Sequence, residues 1–600
     1  MATGVAAGNR GARPATLLRC LLFTLLPLLF ALGAWQLDRA SIGVAADAYR
    51  SPATIAANAL PGLLVLLAVF IATRRLLFSF LAGLALQAVL YRVSEIKLAT
   101  IESPLVLEDA YFLTGMDQGG IALFWAYVES PARFWTMLVA GLLVLALVAW
   151  REKPWFRHLG PARFVLLALL VAGSASLVSA RWPWPALYLQ EGPQRARFTE
   201  MPAILHSGLM AHLVQTHLKR VMRSFEVDTA ALHKAFAQLP AAPSTGPGDR
   251  PLAGQRPDIV VILSESFFDP RIVKRMDAPA DSIPNVRTWI EAGHGGSMSV
   301  PAYGGGTIKT EFEILTGMPY RAFPDIGFPY AGLDLRPTPS LPKLLARDAG
   351  YRTVAIHGHQ GSFYNRANAY KPIGFQKFIT SRDFRGSGFK DGNWYSDESM
   401  TDLLIGELES SEDPLFAFAI SMENHGPYKD PLKLRHMDAW QRIEMPEGLS
   451  QQTHVELRNV LYHLGNADAQ FARLLDFLQR RNRPYLLLFF GDHLPGLKSA
   501  WPELGFVDGK PPRSQQPPWV LIRGRGDITW PAERSVAFPW QLPAELAYEA
   551  GIEHAYFDFS RRAGAAMGMD YARKPDSVMA KGMTAAARAN LNDGFEAQLP

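Results

Sequence analysis

The chain is nearly free of cysteine, because Cys20 is the single one in 600 residues and it lies inside an apolar run. Everything beyond that run therefore folds without disulfide bonds, which is compatible with either the cytosol or the periplasm. Neither sign of charge is in large excess, since the net charge at pH 7 is only +5. So small a net charge over this length gives no argument for nucleic-acid binding, and we expect no nucleic-acid partner.

Long apolar runs are missing from the last two-thirds of the chain and are concentrated in residues 1–182. A helix needs about 20 mostly apolar residues to cross a bilayer. The first run is long for a signal peptide, no Ala-x-Ala-like site follows it, and four more runs come after it. The sequence therefore predicts an integral membrane protein with an N-terminal bundle of five transmembrane helices. The predicted spans lie near residues 16–35, 55–73, 76–93, 134–150 and 162–181.

Basic residues between the apolar runs predict the orientation of the bundle. One cluster precedes span one, a second lies between spans two and three, and a third lies between spans four and five. If every apolar run crosses the membrane, these three clusters lie on the same side of it. The positive-inside rule makes that side cytoplasmic. We therefore expect a multi-pass protein of the bacterial cytoplasmic (inner) membrane whose remaining chain is extracytoplasmic, in the periplasm. The clusters are Arg10, Arg13 and Arg19, then Arg74 and Arg75, then Arg151, Lys153, Arg157 and Arg163.

The rest of the chain divides by composition into three parts. Residues 183–257 combine a juxtamembrane helical pattern with a Pro/Gly-rich linker at Leu239–Pro251. Residues 258–560 alternate apolar runs with helical patterns, which predicts an α/β domain with a mostly parallel central sheet. Residues 561–600 form a C-terminal tail to which we assign no function. The clearest strand runs are Ile259–Leu263, Thr353–Ile356, Leu415–Ile420 and Tyr485–Phe490, and helical stretches lie near 307–316, 340–349, 397–410 and 453–480.

Polar side chains follow the ends of the four strand runs. In an α/β sheet of this kind the functional site lies at the carboxyl ends of the strands, so these side chains should converge there. The convergence is stronger evidence for a site than any single motif. The residues are Glu265, His357, His425, Asp492 and His493.

Glu265, Asp492 and His493 are candidate metal ligands. An unpaired buried carboxylate is very costly, so Glu265 at the end of an apolar strand must meet solvent, a metal or a cation. Carboxylate and imidazole together are a common ligand set for first-row metals, and additional oxygen ligands suit Mg²⁺ or Mn²⁺. The alternatives are a solvated loop acid at Glu265 and a structural or solvated Asp492–His493 pair.

Thr307 is the candidate nucleophile. It follows Gly304–Gly306 and opens a helical pattern, and a helix N-terminus binds phosphate oxygens through its free N–H groups and its dipole. A divalent ion on the threonine hydroxyl would favour the alkoxide that covalent catalysis needs. The alternative is an ordinary N-cap threonine. Thr310 and Ser299 are nearby hydroxyls, but neither directly follows the glycine run.

His425 and Arg366 are candidate substrate-binding groups. His425 can protonate a leaving alkoxide or hold a substrate hydroxyl, and the alternative is a structural histidine. Arg366 can clamp a phosphate through its planar guanidinium group, and the alternative is a surface cation. Four other histidines have no motif context and are expected to be solvated, namely His294, His436, His454 and His463.

With these features the sequence resembles the lipoteichoic acid synthase–type phosphoglycerol transferases of the alkaline phosphatase/sulfatase superfamily. That family has five spanning helices and an extracytoplasmic catalytic domain, so the resemblance covers nearly the whole chain. It implies an alkaline-phosphatase/sulfatase-like α/β domain and a bound Mn²⁺ or Mg²⁺ ion. The implied metal set is Glu265, Thr307, Asp492 and His493, with Thr307 doubling as the catalytic nucleophile.

The same resemblance implies a substrate-binding set and a reaction. The set is His357, Tyr364, Arg366 and His425, with His425 also in a catalytic role. Tyr364 stands where the family often has Trp, and His359 stands where an acidic residue is usual. The implied donor is phosphatidylglycerol. Its phosphoglycerol group forms an ester with the threonine as diacylglycerol is released, and the group is then passed to an acceptor.

Three other functions match parts of this pattern. Phosphoethanolamine transferases share the span count and the threonine, but they typically carry disulfides outside the membrane and a Ser-Asp-His-Gly pattern where this chain has Gly491–Leu494. A sulfatase-like hydrolase needs Cys or Ser in a Cys/Ser-x-Pro-x-Arg context, and Ser299–Tyr303 lacks the arginine. A non-catalytic envelope scaffold is the third, and the intact metal set argues against it.

The acceptor is expected to be either a polyglycerolphosphate chain or a periplasmic glucan. The composition is rich in Ala, Arg, Leu and Pro, which suggests a GC-rich genome and a Gram-negative source. That inference favours the glycan acceptor over polyglycerolphosphate.

Overall fold

The computed structural model divides the chain into two compact units. The described residues up to 222 belong to the first unit and those from 225 onwards to the second. Most of the predicted Pro/Gly-rich linker lies outside the described residues, as do Arg10 and Arg157 of the predicted basic clusters. The described residues are 12–42, 52–101, 104–109, 130–156, 160–189, 207–222, 225–240, 252, 255–276, 281–324, 326–386, 388–428, 433–525, 528–530 and 536–600.

The first unit is helical. Its helices are α1 (Ala12–Ile42), α2 (Pro52–Thr73), α3 (Leu76–Ile101), α4 (Pro131–Arg151), α5 (Ala162–Val178), α6 (Trp184–Tyr188) and α7 (Leu209–Val221). Three of them are long and apolar enough to cross a membrane, with mean hydropathies of 2.4 for α2, 1.8 for the Leu76–Leu98 part of α3 and 2.1 for α4.

The prediction of five spans is therefore corrected to three among the described residues. The predicted span at 16–35 lies within α1, whose side chains before residue 24 are outside the described part of the chain. The predicted span at 162–181 corresponds to α5, which has only 17 residues. A helix of that length rises about 25 Å, which is less than the hydrocarbon thickness of about 30 Å.

Helix α4 displays its apolar side chains instead of burying them. None of its residues is buried. Water-soluble surfaces rarely carry so continuous an apolar area, whereas lipid covers it at no cost. This exposure is the physical reason for treating α4 as a membrane span. The most exposed side chains include Trp135, Met137, Leu142, Leu143 and Trp150.

The second unit is built on an eight-stranded sheet in the order β10-β9-β8-β1-β7-β3-β4, with β2 paired to β9. A separate small sheet pairs β5 with β6. The strands are β1 (Asp258–Ser264), β2 (Gly295–Ser297), β3 (Arg352–His357), β4 (Lys377–Ile379), β5 (Lys390–Asp391), β6 (Trp394–Tyr395), β7 (Leu415–Ile420), β8 (Pro484–Gly491), β9 (Pro518–Arg525) and β10 (Ile528–Trp530).

The centre of this sheet is parallel, as the sequence predicts. Strand β1 pairs in parallel with β7 and β8, and β3 pairs in parallel with β4 and β7. The four predicted strand runs are these central strands. Strand β9 pairs antiparallel to β8 and closes one side of the sheet with β2 and β10. The short edge strands carry less continuous apolar sequence, so the sequence pattern predicts no strand there.

Helices cover both faces of the sheet. They are α8 (Thr229–Ala237), α9 (Pro284–Trp289), α10 (Thr307–Thr316), α11 (Pro329–Gly332), α12 (Leu341–Asp348), α13 (Arg366–Ile373), α14 (Ser381–Phe384), α15 (Asp397–Glu409), α16 (Met437–Arg442), α17 (Gln451–Arg480), α18 (Ala500–Leu504), α19 (Leu542–Ala550), α20 (Ala555–Met567), α21 (Asp570–Arg573) and α22 (Val578–Leu591). The four predicted helical stretches correspond to α10, α12, α15 and α17.

Alternation along β1 separates the two hydrophobic layers. Ile259, Val261 and Leu263 join the layer that includes α10, α12 and the C-terminal helices. Val260 and Ile262 join the opposite layer with α15 and α17. This follows from the period of two in a strand, which points successive side chains to opposite faces.

Residues beyond 560 belong to the same hydrophobic layer as α10. Helix α20 crosses position 560, and Met583 and Ala586 of α22 are fully buried in that layer. The C-terminal segment is therefore part of the second unit and helps to support α10.

Candidate active site

Three polar residues meet at the carboxyl ends of two neighbouring parallel strands. Glu265 directly follows β1, and Asp492 and His493 directly follow β8. Each is almost completely buried. One potential ligand atom from each lies within 4.8 Å of the others. The fold thus brings Glu265 next to Asp492 and His493, which follow it by more than two hundred residues in the sequence.

The turn after β1 ties Glu265 to Asp492. The Ser266 N–H group donates to Asp492 Oδ1 at 2.8 Å, and the Ser266 hydroxyl donates to Glu265 Oε1 at 2.9 Å. The Glu265 N–H group donates to Ser421 Oγ at 3.2 Å. Ser266 has a φ of 52°, in the left-handed region that residues other than glycine seldom adopt. Backbone strain of this kind is concentrated at functional sites, where the surrounding structure enforces it.

His493 presents one particular ring nitrogen to the carboxylates. Its Nδ1 lies 3.0 Å from the Leu494 carbonyl oxygen, so Nδ1 carries the proton and Nε2 keeps its lone pair. His493 Nε2 lies 3.1 Å from Asp492 Oδ2 and 3.6 Å from Glu265 Oε1. Asp492 Oδ1 also accepts the His493 N–H group at 2.9 Å, which leaves Oδ2 directed at the cluster.

The donor atoms of this cluster fit a divalent cation. Asp492 Oδ2 and His493 Nε2 are buried and make no hydrogen bond to any residue that the structure describes. Burial and the neighbouring Asp492 carboxylate raise the pKa of Glu265 to about 8. This rise expresses the electrostatic cost of two adjacent buried carboxyl groups, and a cation between them removes it. Carboxylate oxygen and imidazole nitrogen are suitable ligands for such an ion.

Thr307 opens helix α10 beside the cluster. Its hydroxyl donates to Glu265 Oε2 at 3.3 Å. The N-cap residue is Gly306, with no side-chain cap, so Thr307 is the first helical residue and the alternative of an N-cap threonine is wrong. Gly304, Gly305 and Gly306 have φ values of 64°, 147° and 83°, which glycine adopts without the clash of a Cβ atom. The hydroxyl is therefore fixed next to the carboxylate by the loop and the helix together.

Two further close contacts complete this part of the site. Thr310, the alternative hydroxyl, donates to the Asp492 carbonyl oxygen at 3.0 Å and so has a structural partner. Gly491 at the end of β8 is required because a Cβ atom there would collide with the Phe267 carbonyl oxygen.

Arg366 is buried and is held by a residue that the sequence analysis did not identify. Its Nε and Nη2 donate to Glu311 Oε2 at 2.9 and 2.7 Å. Its Nη1 lies 3.2 Å from His357 Nε2. His357 Nδ1 lies 3.3 Å from the Ile420 carbonyl oxygen, and burial together with the Arg366 charge lowers the pKa of His357 far below its usual value. His357 is thus neutral and contacts Arg366, and the alternative of a surface cation at Arg366 is wrong.

His425 lies on the loop after β7. Its Nδ1 lies 2.9 Å from the Gly426 carbonyl oxygen, so Nε2 is the nitrogen left for chemistry. Trp394 donates its indole N–H to the His425 carbonyl oxygen at 2.7 Å, and the two rings are 5.3 Å apart. Burial lowers the pKa of His425, which favours the neutral imidazole.

His359 and Tyr364 lie next to these groups. The His359 ring is 6.0 Å from the ring of His357 and 5.7 Å from that of Trp394. Burial lowers the pKa of His359 to about 3, so this side chain is neutral. The Arg366 guanidinium carbon lies 5.2 Å from the centre of the Tyr364 ring. The predicted substrate-binding residues therefore form one contiguous group.

The expectation that His463 is solvated is wrong. It is 1% exposed, and its Nδ1 lies 2.8 Å from Glu423 Oε1. Glu423 Oε2 accepts the Asp397 N–H group at 2.8 Å, so Glu423 anchors the loop that carries His425. A signal was present, because His463 follows Val460 by three residues on the apolar face of α17. His294 is also buried, at 7% exposure.

Comparison with known proteins identifies relatives of this chain. A protein of Rhizobium meliloti (strain 1021), whose name assigns it to cyclic beta-1,2-glucan modification, is 31% identical over 313 residues, which is 50% of this chain and 47% of that protein. The chain thus spans about half the length of this relative. Lipoteichoic acid synthase 1 of Bacillus subtilis (strain 168) is 33% identical over 96 residues, or 15% of this chain and 14% of the synthase.

Among solved structures, the Streptococcus pyogenes phosphoglycerol transferase GacH in complex with sn-glycerol-1-phosphate matches with a TM-score of 0.48 and 19% identity. The match covers 62% of this chain and 94% of that structure.

The largely parallel sheet and its buried carboxylate–histidine cluster at the strand ends define an α/β domain with a candidate metal site. Residues 257–523 match the family model described as Sulfatase. The matched region contains all eight residues that were predicted for the site from the sequence.

Proposed function

We propose that this protein is a metal-dependent phosphoglycerol transferase that uses phosphatidylglycerol as donor. The observation that carries the proposal is the position of the Thr307 hydroxyl, 3.3 Å from Glu265 and beside the buried cluster with Asp492 and His493. A hydroxyl at a helix N-terminus next to a cation site is suited to covalent phosphoryl transfer. The similarity to lipoteichoic acid synthase 1 of Bacillus subtilis supports this class.

Glu265, Thr307, Asp492 and His493 are the residues that would hold Mn²⁺ or Mg²⁺. When bound, such an ion lowers the pKa of the threonine hydroxyl and offsets the charge of the phosphoryl oxygens. The imidazole ligand favours Mn²⁺ over Mg²⁺, because carboxylate and water suit Mg²⁺ better than nitrogen does.

In the first half of the reaction, Thr307 Oγ1 attacks the donor phosphorus and its proton leaves along the hydrogen bond to Glu265. The bond between phosphorus and the diacylglycerol oxygen breaks, and diacylglycerol departs with a proton. In the second half, an acceptor hydroxyl attacks the phosphorus of the threonine ester, and Thr307 leaves and regains its proton. The N–H groups at the start of α10 stabilise the phosphoryl charge in both halves.

The remaining site residues bind the phosphoglycerol group. Arg366 contacts a non-bridging phosphate oxygen, and His357 and Tyr364 contact its guanidinium group. In the first half, His425 that is protonated on Nε2 donates this proton to the leaving diacylglycerol oxygen. In the second half the resulting neutral imidazole, which burial favours, accepts the proton of the entering acceptor hydroxyl. Most of the catalytic effect then comes from positioning and electrostatic stabilisation.

The acceptor is proposed to be a periplasmic glucan, with polyglycerolphosphate as the second possibility. The name of the Rhizobium meliloti relative refers to cyclic beta-1,2-glucan modification, and the aligned region covers 50% of this chain. The apolar helices of the first unit would hold the enzyme in the cytoplasmic membrane, close to a lipid donor. The second unit would then work on the outer side of that membrane.

The test measures diacylglycerol release by the purified full-length protein with Mn²⁺, from labelled phosphatidylglycerol and separately from labelled phosphatidylethanolamine. We expect release from phosphatidylglycerol only, and its loss in Thr307→Ala. Thr288→Ala is the matched control, because Thr288 is exposed and donates to a backbone carbonyl in α9. Release from phosphatidylethanolamine alone would move the protein to the phosphoethanolamine transferases. Full activity in Thr307→Ala would refute the nucleophile.

A further inference from the structure

We propose that Glu311 positions Arg366 for the substrate phosphate, and that helix α10 thereby sets the spacing between the nucleophile and the anion-binding group. This inference rests on the proposed function. Glu311 follows Thr307 by four residues, so the two side chains share one face of the helix about 6 Å apart along its axis. One rigid element therefore carries the attacking hydroxyl and the anchor of the guanidinium group.

The contacts of Glu311 account for both carboxylate oxygens. Oε2 accepts from Arg366 Nε and Nη2 at 2.9 and 2.7 Å, and Oε1 accepts from the Tyr370 hydroxyl at 2.7 Å. Both members of the pair are buried, at 0% exposure for Glu311 and 1% for Arg366. Replacing a buried ion pair with apolar side chains is often neutral for stability, so a pair retained at an active site suggests a role in orientation.

The donor count of Arg366 leaves a defined capacity for an anion. A guanidinium group has five N–H donors in a planar arrangement. Glu311 accepts two of them and His357 accepts one. Among the described residues, these hydrogen bonds leave one N–H group on Nη1 and one on Nη2 unused. Two such donors are the number that a bidentate contact with a phosphate needs. Glu311 and His357 thus fix the plane in which those donors lie.

The backbone before Arg366 gives independent support for fixed placement. Tyr364 and Asn365 have φ values of 57° and 63°, so two successive residues other than glycine are left-handed. The Asn365 side chain donates to the Tyr330 carbonyl oxygen at 2.6 Å, which holds this turn in place. Helix α13 begins directly afterwards with Arg366. Strain of this kind persists only where the surrounding structure enforces it.

Glu313 offers a matched control on the same helix. It is also a buried glutamate, at 4% exposure. Its Oε1 accepts the Tyr320 N–H group at 2.7 Å, and it makes no contact with Arg366 in the described structure. Glu313→Gln therefore tests the general effect of removing a buried carboxyl group from α10.

The experiment is a double-mutant cycle on full-length protein, with Glu311→Gln, Arg366→Lys and the double variant. Diacylglycerol release from phosphatidylglycerol gives kcat/KM. We expect Glu311→Gln to lose on the order of 100-fold, as for a lost charge-assisted hydrogen bond. The double variant should match Arg366→Lys within about threefold, because lysine has no planar group for the carboxylate to orient. Glu313→Gln should keep the wild-type value.

Three results would overturn the proposal: additive losses in the double variant, wild-type kcat/KM in Glu311→Gln, or an equal loss in Glu313→Gln. Tyr370→Phe is a milder variant, because it removes only the hydrogen bond from the Tyr370 hydroxyl to Glu311. It tests the role of Glu311 if Glu311→Gln does not fold. We expect a smaller loss of kcat/KM, and an unchanged kcat/KM would contradict the proposal. Inorganic phosphate binding, measured by calorimetry, keeps the test independent of the donor. If wild type releases no diacylglycerol, the proposed function fails. Phosphate affinity that is weakened equally in Glu311→Gln and Arg366→Lys would still support the role of Glu311. Phosphate affinity that is not weakened in Glu311→Gln would contradict that role.

Discussion

Asp492→Asn should remove most of the metal-dependent stabilisation while leaving the metal-free protein folded. Asp492 Oδ1 accepts two backbone N–H groups, from Ser266 and His493, and an asparagine oxygen can accept both. The NH₂ group would then replace Oδ2 and face Glu265 and His493. It is neutral and is a hydrogen-bond donor, so it removes the repulsion between two carboxylates but cannot act as an anionic metal ligand.

The size of the effect follows from linkage. A ligand at one hundred times its Kd stabilises the folded state by about 2.7 kcal/mol. The second unit has roughly 390 residues, which gives an unfolding entropy of about 0.8 kcal/mol per kelvin. Wild type should therefore gain about 3 °C in Tm with Mn²⁺. A hundredfold weaker Kd leaves about 0.4 kcal/mol, or half a degree, at the same Mn²⁺ concentration.

The assay is thermal unfolding of the full-length protein after chelator treatment, with and without Mn²⁺, followed by a signal from the second unit. Asp468→Asn is the matched control. Asp468 is also buried and accepts the N–H groups of Asn285 and Val286, at 3.1 and 2.8 Å. It should lower the Tm of the metal-free protein and leave the Mn²⁺ shift unchanged. A full Mn²⁺ shift in Asp492→Asn would refute the assignment of this cluster as the metal site.

Two further predictions concern other parts of the second unit. Burial raises the pKa of Glu313 to about 8. The stabilising contribution of the protonated side chain is therefore complete below about pH 4.5 and is lost as the pH rises through 8. Glu313→Gln should flatten the fall in Tm between pH 5 and 8, and an unchanged slope of Tm against pH would contradict this. Trp394→Phe removes the hydrogen bond to the His425 carbonyl oxygen and should lower kcat about tenfold. Trp440→Phe loses an equivalent bond to Asn459 and is its control; equal losses would contradict a positioning role.

Much of the second unit could be predicted because its central strands are buried on both faces. Such strands are continuous apolar runs, and the helices between them carry a different period. The runs at Ile259–Leu263 and Tyr485–Phe490 are therefore recognisable without any knowledge of their neighbours. The edge strands β4 and β10 have three residues each and carry no comparable pattern.

The membrane unit was less predictable because hydropathy alone does not fix helix ends. The run near 162–181 is apolar throughout, yet the helix it forms ends at Val178. Ala180 then adopts a φ of 51°, and Pro183 follows soon after. Those backbone conformations shorten the helix by a few residues, which is enough to change its relation to the bilayer thickness.

The sequence alone determined the residue types of the site, because a parallel sheet must expose its functional groups at the carboxyl ends of its strands. Glu265, Asp492 and His493 could be named on that ground, and Thr307 could be named from the glycine run that precedes it. Only the tertiary structure decided which carboxylates pair with the buried cationic and imidazole side chains around the site. Glu311 pairs with Arg366 and Glu423 with His463 across 55 and 40 residues. Such pairings depend on how helices pack over the sheet, and local sequence patterns contain no information about that packing.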